Sequence, residues 1–362
     1  MKIVITGGHH SSALPVISLM KKEHPEVELF WFGHRYSVLG NKADTLEYIE
    51  ITGLGIPFFD IKAGKFYKTR NIIRLLRIPY GFFQTLFLLL KVRPNLILSF
   101  GGYLAVPTVM AGWFLGIPSV THEQTVVVGY ANKLISKFTK KVMISWEESA
   151  KFFQEKKTVY TGIPLRPSLF EVKSNSFVFG NDLPVVYVTA GKTGSHLVNK
   201  VVEKSLEELL EFCNVIHQCG DHSELKDFER LSEKFSSTNH MTSYIARKFV
   251  FEDEIGEVFS KADVIVSRSG AHTIRELLAF KKSCVLIPIP WVSHNEQYEN
   301  AKLLEERELA IVLDERELTS DVLINAIKEQ IVKALKAEKF TPQFDDTPAR
   351  KILETALLYA KS

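Results

Sequence analysis

The chain has 362 residues, 46% of them hydrophobic, which predicts two or three globular domains and excludes a disordered or fibrous protein. Lysine and arginine number 45 against 42 aspartates and glutamates, a balance that excludes a surface built as a whole for nucleic acid. Three scattered cysteines are too few for a disulfide framework or a four-cysteine zinc site, so we expect free thiols in a reducing compartment.

Apolar runs of strand length alternate with helical patterns from end to end, which predicts an α/β fold with parallel sheets. The N-terminal apolar run is too short for a signal peptide and predicts a first strand. Two strands of the first half are predicted to end in glycine turns, Gly7-Gly8-His9 and Gly101-Gly102-Tyr103.

Residues 94–121 carry no charge over a length that exceeds a membrane-spanning helix. Gly101-Gly102, Pro107 and Pro118 interrupt this stretch. We therefore predict a strand at 96–100, a turn, a helix of about ten residues and a second strand instead of a spanning helix.

A basic and aromatic segment lies within a window that has no acidic residue between Asp60 and Glu123. Such a segment suits an anionic membrane surface, although a solvated basic face on a packed helix has the same composition. It carries no signature of an RNA-binding module, and we expect no nucleic-acid partner. The predicted membrane residues are Lys65, Phe66, Lys68, Arg70, Arg74, Arg77, Phe82 and Phe83.

Polar side chains follow another predicted strand of the first half, at His122-Glu123-Gln124-Thr125. A histidine or a carboxylate in a water-poor cleft can act as a general base. His9 and Glu123 are the candidates, with Glu123 as base or as a residue that orients the base.

The same pattern of strands and glycine turns runs a second time after a proline- and glycine-rich linker that begins near residue 162. We predict two Rossmann-like, doubly wound domains that face each other across a cleft, at 1–165 and 166–340. Residues 341–362 are predicted to form a helix that packs back on the first domain.

Two turns of the second half are suited to phosphate. The predicted strand at 185–189 runs into Gly191, Lys192, Thr193 and Gly194, which lack the spacing of a Walker A motif and can also be a plain turn. The strand at 264–267 runs into Ser-Gly and a helix whose first N–H groups form an anion site. Glu276 on that helix can accept the hydroxyls of a ribose, or it can complete a capping box with Thr273.

These motifs resemble the MurG family of UDP-N-acetylglucosamine:lipid I N-acetylglucosaminyltransferases, which have the two-domain glycosyltransferase-B fold. The resemblance covers residues 1 to about 330. It rests on Thr-Gly-Gly-His at 6–9, Phe-Gly-Gly-Tyr-Leu-Ala-Val-Pro at 100–107, His-Glu-Gln at 122–124, Thr-Gly-x-Pro-x-Arg at 161–166 and Arg-Ser-Gly-Ala-x-Thr-x-x-Glu at 268–276. The chain departs from the family at Thr125, where asparagine is usual, and at Lys192, where serine is usual.

The resemblance implies roles for individual residues. On the donor side, Glu276 holds the ribose, backbone near Phe251 and Glu252 reads the uracil, Ala271, His272 and Thr273 cradle the diphosphate, and Gln297 with Asn300 binds the sugar. Amide side chains suit sugar hydroxyls because they donate and accept at once. Arg166, Lys192, Thr193 and Gly194 complete the donor set. The acceptor set is Gly7, Gly8, Gly101, Gly102, Tyr103, His122, Gln124 and Thr125.

The implied activity is an inverting transfer of N-acetylglucosamine from UDP to a polyprenyl-diphosphate-linked acceptor in peptidoglycan synthesis, at the cytoplasmic face of the membrane and without a metal or other cofactor. A same-fold transferase that acts on diacylglycerol and a non-catalytic protein that binds UDP-sugar are the alternatives.

Overall fold

The computed structural model describes residues 1–36, 44–64, 72–191, 194–221, 225–235, 242–292, 295–338 and 340–360, with the backbone alone for 72–77. The chain forms two compact domains. The first comprises Met1–Leu165 and Asp345–Ser362, and the second comprises Arg166–Phe344. The terminal segment thus belongs to the first domain, and the second domain runs to Phe344 where the sequence predicted residue 340.

The first domain is built on a parallel sheet of seven strands in the order β3-β2-β1-β4-β5-β6-β7. Its strands are β1 (Lys2–Thr6), β2 (Glu28–Gly33), β3 (Phe58–Asp60), β4 (Leu96–Ser99), β5 (Ser119–Glu123), β6 (Lys141–Ile144) and β7 (Thr158–Tyr160). Its helices are α1 (His10–Glu23), α2 (Leu46–Gly53), α3 (Ile72–Val92), α4 (Ala105–Phe114), α5 (Tyr130–Phe138) and, from the chain terminus, α12 (Thr347–Ala360).

The second domain is built on a parallel sheet of six strands in the order β10-β9-β8-β11-β12-β13. Its strands are β8 (Val185–Thr189), β9 (Asn214–Gln218), β10 (Tyr244–Arg247), β11 (Val264–Ser267), β12 (Ser283–Leu286) and β13 (Ala310–Val312). Its helices are α6 (His196–Leu209), α7 (Asp227–Phe235), α8 (Ile255–Lys261), α9 (Ala271–Phe280), α10 (Glu296–Glu305) and α11 (Ser320–Lys336).

The central strands of both sheets are buried on both faces. β4 and β11 contain no exposed residue, which is why they read as continuous apolar runs in the sequence. The order of strands reverses direction beside β1 in the first sheet and beside β8 in the second. In open α/β sheets, ligands bind beyond the carboxyl ends of the strands at such switch points. The expected ligand-binding positions are therefore the turns after β1, β4, β8 and β11.

The predicted α/β class with two doubly wound domains is confirmed. The charge-free segment forms β4, α4 and β5 as predicted, and across the described ranges no helix has the length and apolarity needed to cross a membrane. The three cysteines are free and buried, as the sequence predicted. The C-terminal helix α12 packs on α1 and on the sheet of the first domain.

Candidate active site

The two predicted glycine turns of the first domain are hydrogen bonded to each other. The Gly8 N–H donates to the Gly101 carbonyl over 3.1 Å. Gly7 has a φ of 140°, and a Cβ on it would lie 2.8 Å from the Phe100 carbonyl carbon. Glycine is therefore required at position 7, because any side chain would force the β1 and β4 ends apart.

His9 is the residue between this turn and α1, and its side chain is exposed on the surface of the first domain. Surrounding protein and, to a smaller extent, the charge of His10 lower the pKa of His9 from its usual value. Because the ring stays accessible to solvent, this desolvation is partial. A neutral, accessible imidazole is the form that can accept a proton.

Glu123 ends β5 and is 3% exposed. One carboxylate oxygen accepts hydrogen bonds from the N–H and hydroxyl of Thr125, at 2.9 and 2.8 Å, and the other accepts one from Asn132 Nδ2 at 2.7 Å. Burial raises the pKa of Glu123, although these hydrogen bonds act in the opposite direction and lower it. Asn132 Oδ1 in turn accepts the Gly102 N–H at 3.0 Å. The structure contradicts a base role for Glu123, and its side chain holds the 101–102 turn through Asn132.

The same burial corrects the acceptor roles predicted for the neighbours of Glu123. His122 is fully buried, its Nε2 lies 3.0 Å from the Gly162 carbonyl and 3.1 Å from Ser145 Oγ, and burial lowers its pKa to about 4. Gln124 and Thr125 are also buried, and the Gln124 carbonyl accepts the Trp146 indole N–H. Their burial and their hydrogen bonds within the first domain contradict the predicted acceptor-binding roles of these three residues.

Tyr103, the last predicted acceptor residue, is half-buried on the 101–104 turn. Its ring centroid lies 5.9 Å from that of His34, which follows β2, in an edge-to-face arrangement. The carboxyl ends of β1, β2 and β4 therefore contribute side chains to one edge of the sheet.

In the second domain, α9 begins directly after the Ser-Gly turn of β11. Gly270 is the N-cap residue, so the N–H groups of 271–273 form the first turn and lack partners within the helix. A capping box needs Thr273 at the N-cap, but Thr273 lies inside the first turn, so the capping-box interpretation is wrong. The Glu276 carboxylate lies 3.4 Å from the Arg166 guanidinium and is mostly buried. An anion site, a carboxylate and an arginine thus lie at one helix start.

The predicted sugar-binding amides hold the loop that follows β12. Gln297 Oε1 accepts the Ile289 N–H at 3.0 Å, and the Gln297 carbonyl accepts the Ser269 hydroxyl at 2.8 Å. Asn300 donates to the Ser269 carbonyl at 3.1 Å and has 0% exposure. Direct sugar binding by Asn300 is therefore contradicted, whereas Gln297 retains its amide nitrogen and one acceptor site of its oxygen for that purpose.

The turn after β8 is described at Gly191 and Gly194, whereas Lys192 and Thr193 lie outside the described residues. Ser195 caps α6, and its hydroxyl also accepts a 2.7 Å hydrogen bond from Arg268. Arg268 also donates to the Ile287 carbonyl at 2.9 Å and forms an ion pair with Glu315. One buried guanidinium therefore joins the ends of four elements, a role that the sequence analysis missed.

The predicted uracil-reading loop follows β10. The Phe251 N–H donates to Glu254 at 3.0 Å, and the Phe251 carbonyl accepts the N–H groups of Glu254 and Ile255. These bonds contradict the predicted role of the Phe251 peptide in this conformation, because both of its polar groups are occupied. Glu252 is exposed and accepts a hydrogen bond from Ser168.

The apolar face formed by α3 and α4 lies in the predicted membrane segment. Lys65, Phe66, Lys68 and Arg70 fall outside the described residues, and Arg74 and Arg77 lie on α3, where only their backbone is described. Phe82 was predicted to insert into the membrane, but its ring is half-buried and packs against the rings of Phe83 and Phe114. The exposed apolar and aromatic residues of α3 and α4 are Ile78, Tyr80, Phe83, Phe87, Leu90, Trp113 and Phe114, of which only Phe83 was among the predicted membrane residues.

Metal ligation has no support among the side chains that the structure describes, since they include no group of three or more histidine, cysteine or acidic residues able to hold an ion.

Comparison with known proteins agrees with this geometry. Residues 4–144 match the glycosyltransferase family 28 N-terminal domain, and residues 185–355 match the C-terminal domain of that family. A protein of Clostridium kluyveri, named UDP-N-acetylglucosamine--N-acetylmuramyl-(pentapeptide) pyrophosphoryl-undecaprenol N-acetylglucosamine transferase, is 32% identical over 337 residues, which cover 91% of this chain and 90% of its own. A protein of Clostridium tetani with the same name is 29% identical over 95% of this chain and 96% of its own.

Among solved structures, Acinetobacter baumannii MurG matches with a TM-score of 0.69 at 20% identity over 99% of both chains. A UDP-GlcNAc 2-epimerase from Neisseria meningitidis matches with a TM-score of 0.67 at 15% identity, over 99% of this chain and 100% of its own. These two likenesses establish the two-domain fold alone. The sequence matches go further: the chain belongs to glycosyltransferase family 28.

Proposed function

We propose that the chain transfers N-acetylglucosamine from UDP-N-acetylglucosamine to undecaprenyl-pyrophosphoryl N-acetylmuramyl pentapeptide, lipid I, and so forms lipid II for peptidoglycan synthesis. The observation that carries this proposal is the 32% identity to a relative of that name across nine-tenths of both chains. The paired glycine turns of the first domain and the helix-start site of the second supply the two half-sites that such a reaction needs.

The acceptor hydroxyl attacks the anomeric carbon of the donor sugar in a single in-line displacement, which inverts that centre. As the bond to the hydroxyl oxygen forms and the bond to UDP breaks, His9 takes the hydroxyl proton. His9 suits this task because it is exposed and its lowered pKa keeps the ring neutral at pH 7. Glu123 is a positioning residue that fixes the 101–102 turn through Asn132.

The UDP leaving group carries negative charge that the second domain stabilises. The first N–H groups of α9 and the positive end of its dipole face this charge, and Arg166 beside Glu276 adds a cation. We therefore propose a reaction that needs no divalent metal. Turnover should survive EDTA, and strict dependence on added Mg²⁺ or Mn²⁺ would contradict this part of the proposal.

The decisive assay uses radiolabelled UDP-N-acetylglucosamine with lipid I and with diacylglycerol as separate acceptors. We expect label in a lipid II product and none in a glycolipid. Transfer to diacylglycerol alone would establish the other acceptor. UDP binding without transfer to either lipid would establish a non-catalytic UDP-sugar-binding protein.

We further propose that the enzyme binds the cytoplasmic face of the membrane peripherally through the α3–α4 face. Phe83, Phe87 and Phe114 are each about two-thirds exposed, which is unusual for phenylalanine in water. The 6.4 Å separation between the Phe82 and Phe114 ring centroids makes the face continuous from α3 to α4. Exposed Lys91 and Arg93 at the end of α3 add charge complementary to anionic lipid.

Co-sedimentation with vesicles of anionic phospholipid tests this surface. Replacing Phe87 and Phe114 by serine should release the protein from the vesicles and leave UDP affinity unchanged, since the donor half-site lies in the other domain. The matched control replaces Val332 and Leu335, exposed apolar residues of α11 in the second domain, by serine. Equal retention of both variants would contradict the membrane surface.

A further inference from the structure

Gln218 is the last residue of β9, and every hydrogen-bonding position of its side chain is used. Its carbonyl oxygen accepts the Val250 N–H at 2.9 Å and the Tyr187 hydroxyl at 3.3 Å. Its amide nitrogen donates to Thr189 Oγ1 at 3.1 Å and to the Gly191 carbonyl at 3.0 Å. An amide has two donors and two acceptor sites, so this side chain is saturated.

These bonds go to two different loops. Val250 begins the 250–252 loop, where the family resemblance puts the uracil contacts, and Gly191 begins the turn after β8, where the phosphates are expected. Gln218 is itself 6% exposed, so it cannot contact the nucleotide extensively. The Thr189 hydroxyl strengthens the link, since it also accepts the Gly191 N–H at 3.2 Å.

We propose that Gln218 is a positioning residue that sets the 250–252 loop and Gly191, at the start of the turn after β8, at the correct spacing for a nucleoside diphosphate. Its carbonyl oxygen holds the loop that the family resemblance assigns to the base, in which the Phe251 peptide itself is occupied, and its amide nitrogen holds Gly191 at the start of the turn assigned to the phosphates. This inference rests on the proposed function, because it assumes that UDP is the ligand of the second domain.

The two halves of the amide can be tested separately. Gln218→Glu keeps an acceptor for the Val250 N–H but, when ionised, replaces the donor with an oxygen that repels the Gly191 carbonyl. Protonation restores one donor, so lowering the pH should restore the link. Gln218→Met keeps the length of the side chain and removes both functions at every pH. Gln330→Glu, at a buried glutamine of α11, is the matched control for a carboxyl group buried in the same domain.

Other ionisable groups near Gln218 are accounted for by comparison with the wild type, whose glutamine does not titrate. Burial raises the pKa of Tyr187, which therefore stays protonated, and the charges that act on Tyr187 come from Glu276, Glu254 and Arg166. Burial raises the pKa of Cys219, the next residue in the chain, to about 12, so its thiol also stays protonated.

Competition binding of uridine and UDP at pH 8.5 and pH 5.5 gives the readout. At pH 8.5, Gln218→Glu should bind uridine within about threefold of wild type and UDP about tenfold more weakly, as the loss of two hydrogen bonds implies. At pH 5.5 this UDP deficit should shrink. Gln218→Met should weaken the binding of both uridine and UDP, by the same factor at pH 8.5 as at pH 5.5. Gln330→Glu should weaken the binding of neither ligand.

The inference is overturned if both Gln218 variants bind UDP within twofold of a wild type that binds it well, or if the Gln218→Glu deficit is the same at both pH values. A wild type that binds no UDP would instead refute the proposed function itself. If Gln218→Glu does not fold, Gln218→Met alone decides, since retained UDP affinity in that variant contradicts the link.

Discussion

Glu123 and Glu276 both lie near the carboxyl edge of a parallel sheet, but their surroundings suit them to different roles. Glu123 has three donors on its two oxygens and almost no exposed surface. Glu276 lies 3.4 Å from Arg166 on the first turns of α9, next to N–H groups that have no helical partner. A carboxylate that is saturated by the protein supports a site, whereas one beside an open helix start can bind a ligand.

Replacing Glu276 by alanine should weaken UDP binding by about 1.5–3 kcal/mol, because a ribose loses a hydrogen bond to a charged group. The melting temperature should change little, since Glu276 does not cap the helix. Calorimetric titration with UDP and a thermal melt measure the two effects. Glu329→Ala, at an exposed residue of α11, is the control. A large loss of stability with normal UDP affinity would contradict ribose binding.

Replacing His9 by alanine should lower kcat by about 10²–10⁴-fold with UDP affinity unchanged, as expected for loss of a general base. In the wild type, kcat should fall as the pH drops through the pKa of His9, which lies below its usual 6.5 because desolvation disfavours the imidazolium. Normal turnover in the alanine variant would exclude His9 as the base.

Among the elements, the β1–α1 and β4–α4 turns act as one unit because Gly8 is bonded to Gly101. Gly7→Ala should destabilise the first domain and abolish transfer, since the new Cβ would lie 2.8 Å from a backbone carbon of Phe100 at a φ of 140°. At Gly8 the nearest atom to a new Cβ is 3.9 Å away, on the Leu104 side chain, so Gly8→Ala should fold normally. Chemical denaturation compares them, and equal stability of the two variants would refute the steric argument.

The order of elements could be predicted because buried parallel strands are apolar runs and glycines follow them. The partners of individual side chains could not. Asn132, in the first turn of α5, donates a hydrogen bond to Glu123, and no spacing in the sequence connects these two positions. His122 looks like a catalytic histidine in a motif, yet only the packing of β5 between β4 and β6 shows that it is buried. Gln218 could have been predicted as a site residue, because it lies at the carboxyl end of a strand as the other candidates do.

Among the described residues of the whole molecule, each domain contains one histidine that is fully buried, His122 in the first and His217 in the second, and burial lowers the pKa of each to about 4. The unfolded chain binds these protons near pH 6.5, whereas the folded chain resists them until about pH 4. Stability present above pH 6.5 should therefore be lost as the pH falls, by up to about 3 kcal/mol per histidine.

Denaturant unfolding at several pH values between 7 and 4 measures this loss. His122→Asn should flatten the pH dependence of the first domain and leave that of the second unchanged. An unchanged slope in the variant would show that other groups cause the acid sensitivity.

The first domain also depends on the far end of the chain. Ile352, Leu353 and Leu357 of α12 pack into its core beside β1 and α1. Removing 345–362 exposes these contacts, at a cost of about 5–9 kcal/mol for three large apolar side chains, which is comparable to the stability of a domain. The truncated chain should lose acceptor transfer and become sensitive to protease in the first domain, while UDP binding by the second domain persists. Full activity after truncation would contradict this dependence.

The return of α12 to the first domain also sets an order of events on the ribosome. After residue 165 emerges, about 200 more residues must be made before α12 is complete, which takes about 10–40 s at ordinary rates of synthesis. Throughout that time the second domain can finish folding, whereas the first keeps the apolar groove for α12 uncovered. The nascent chain therefore matures from its middle outward, and a pause late in translation leaves the acceptor half as the part that needs a chaperone.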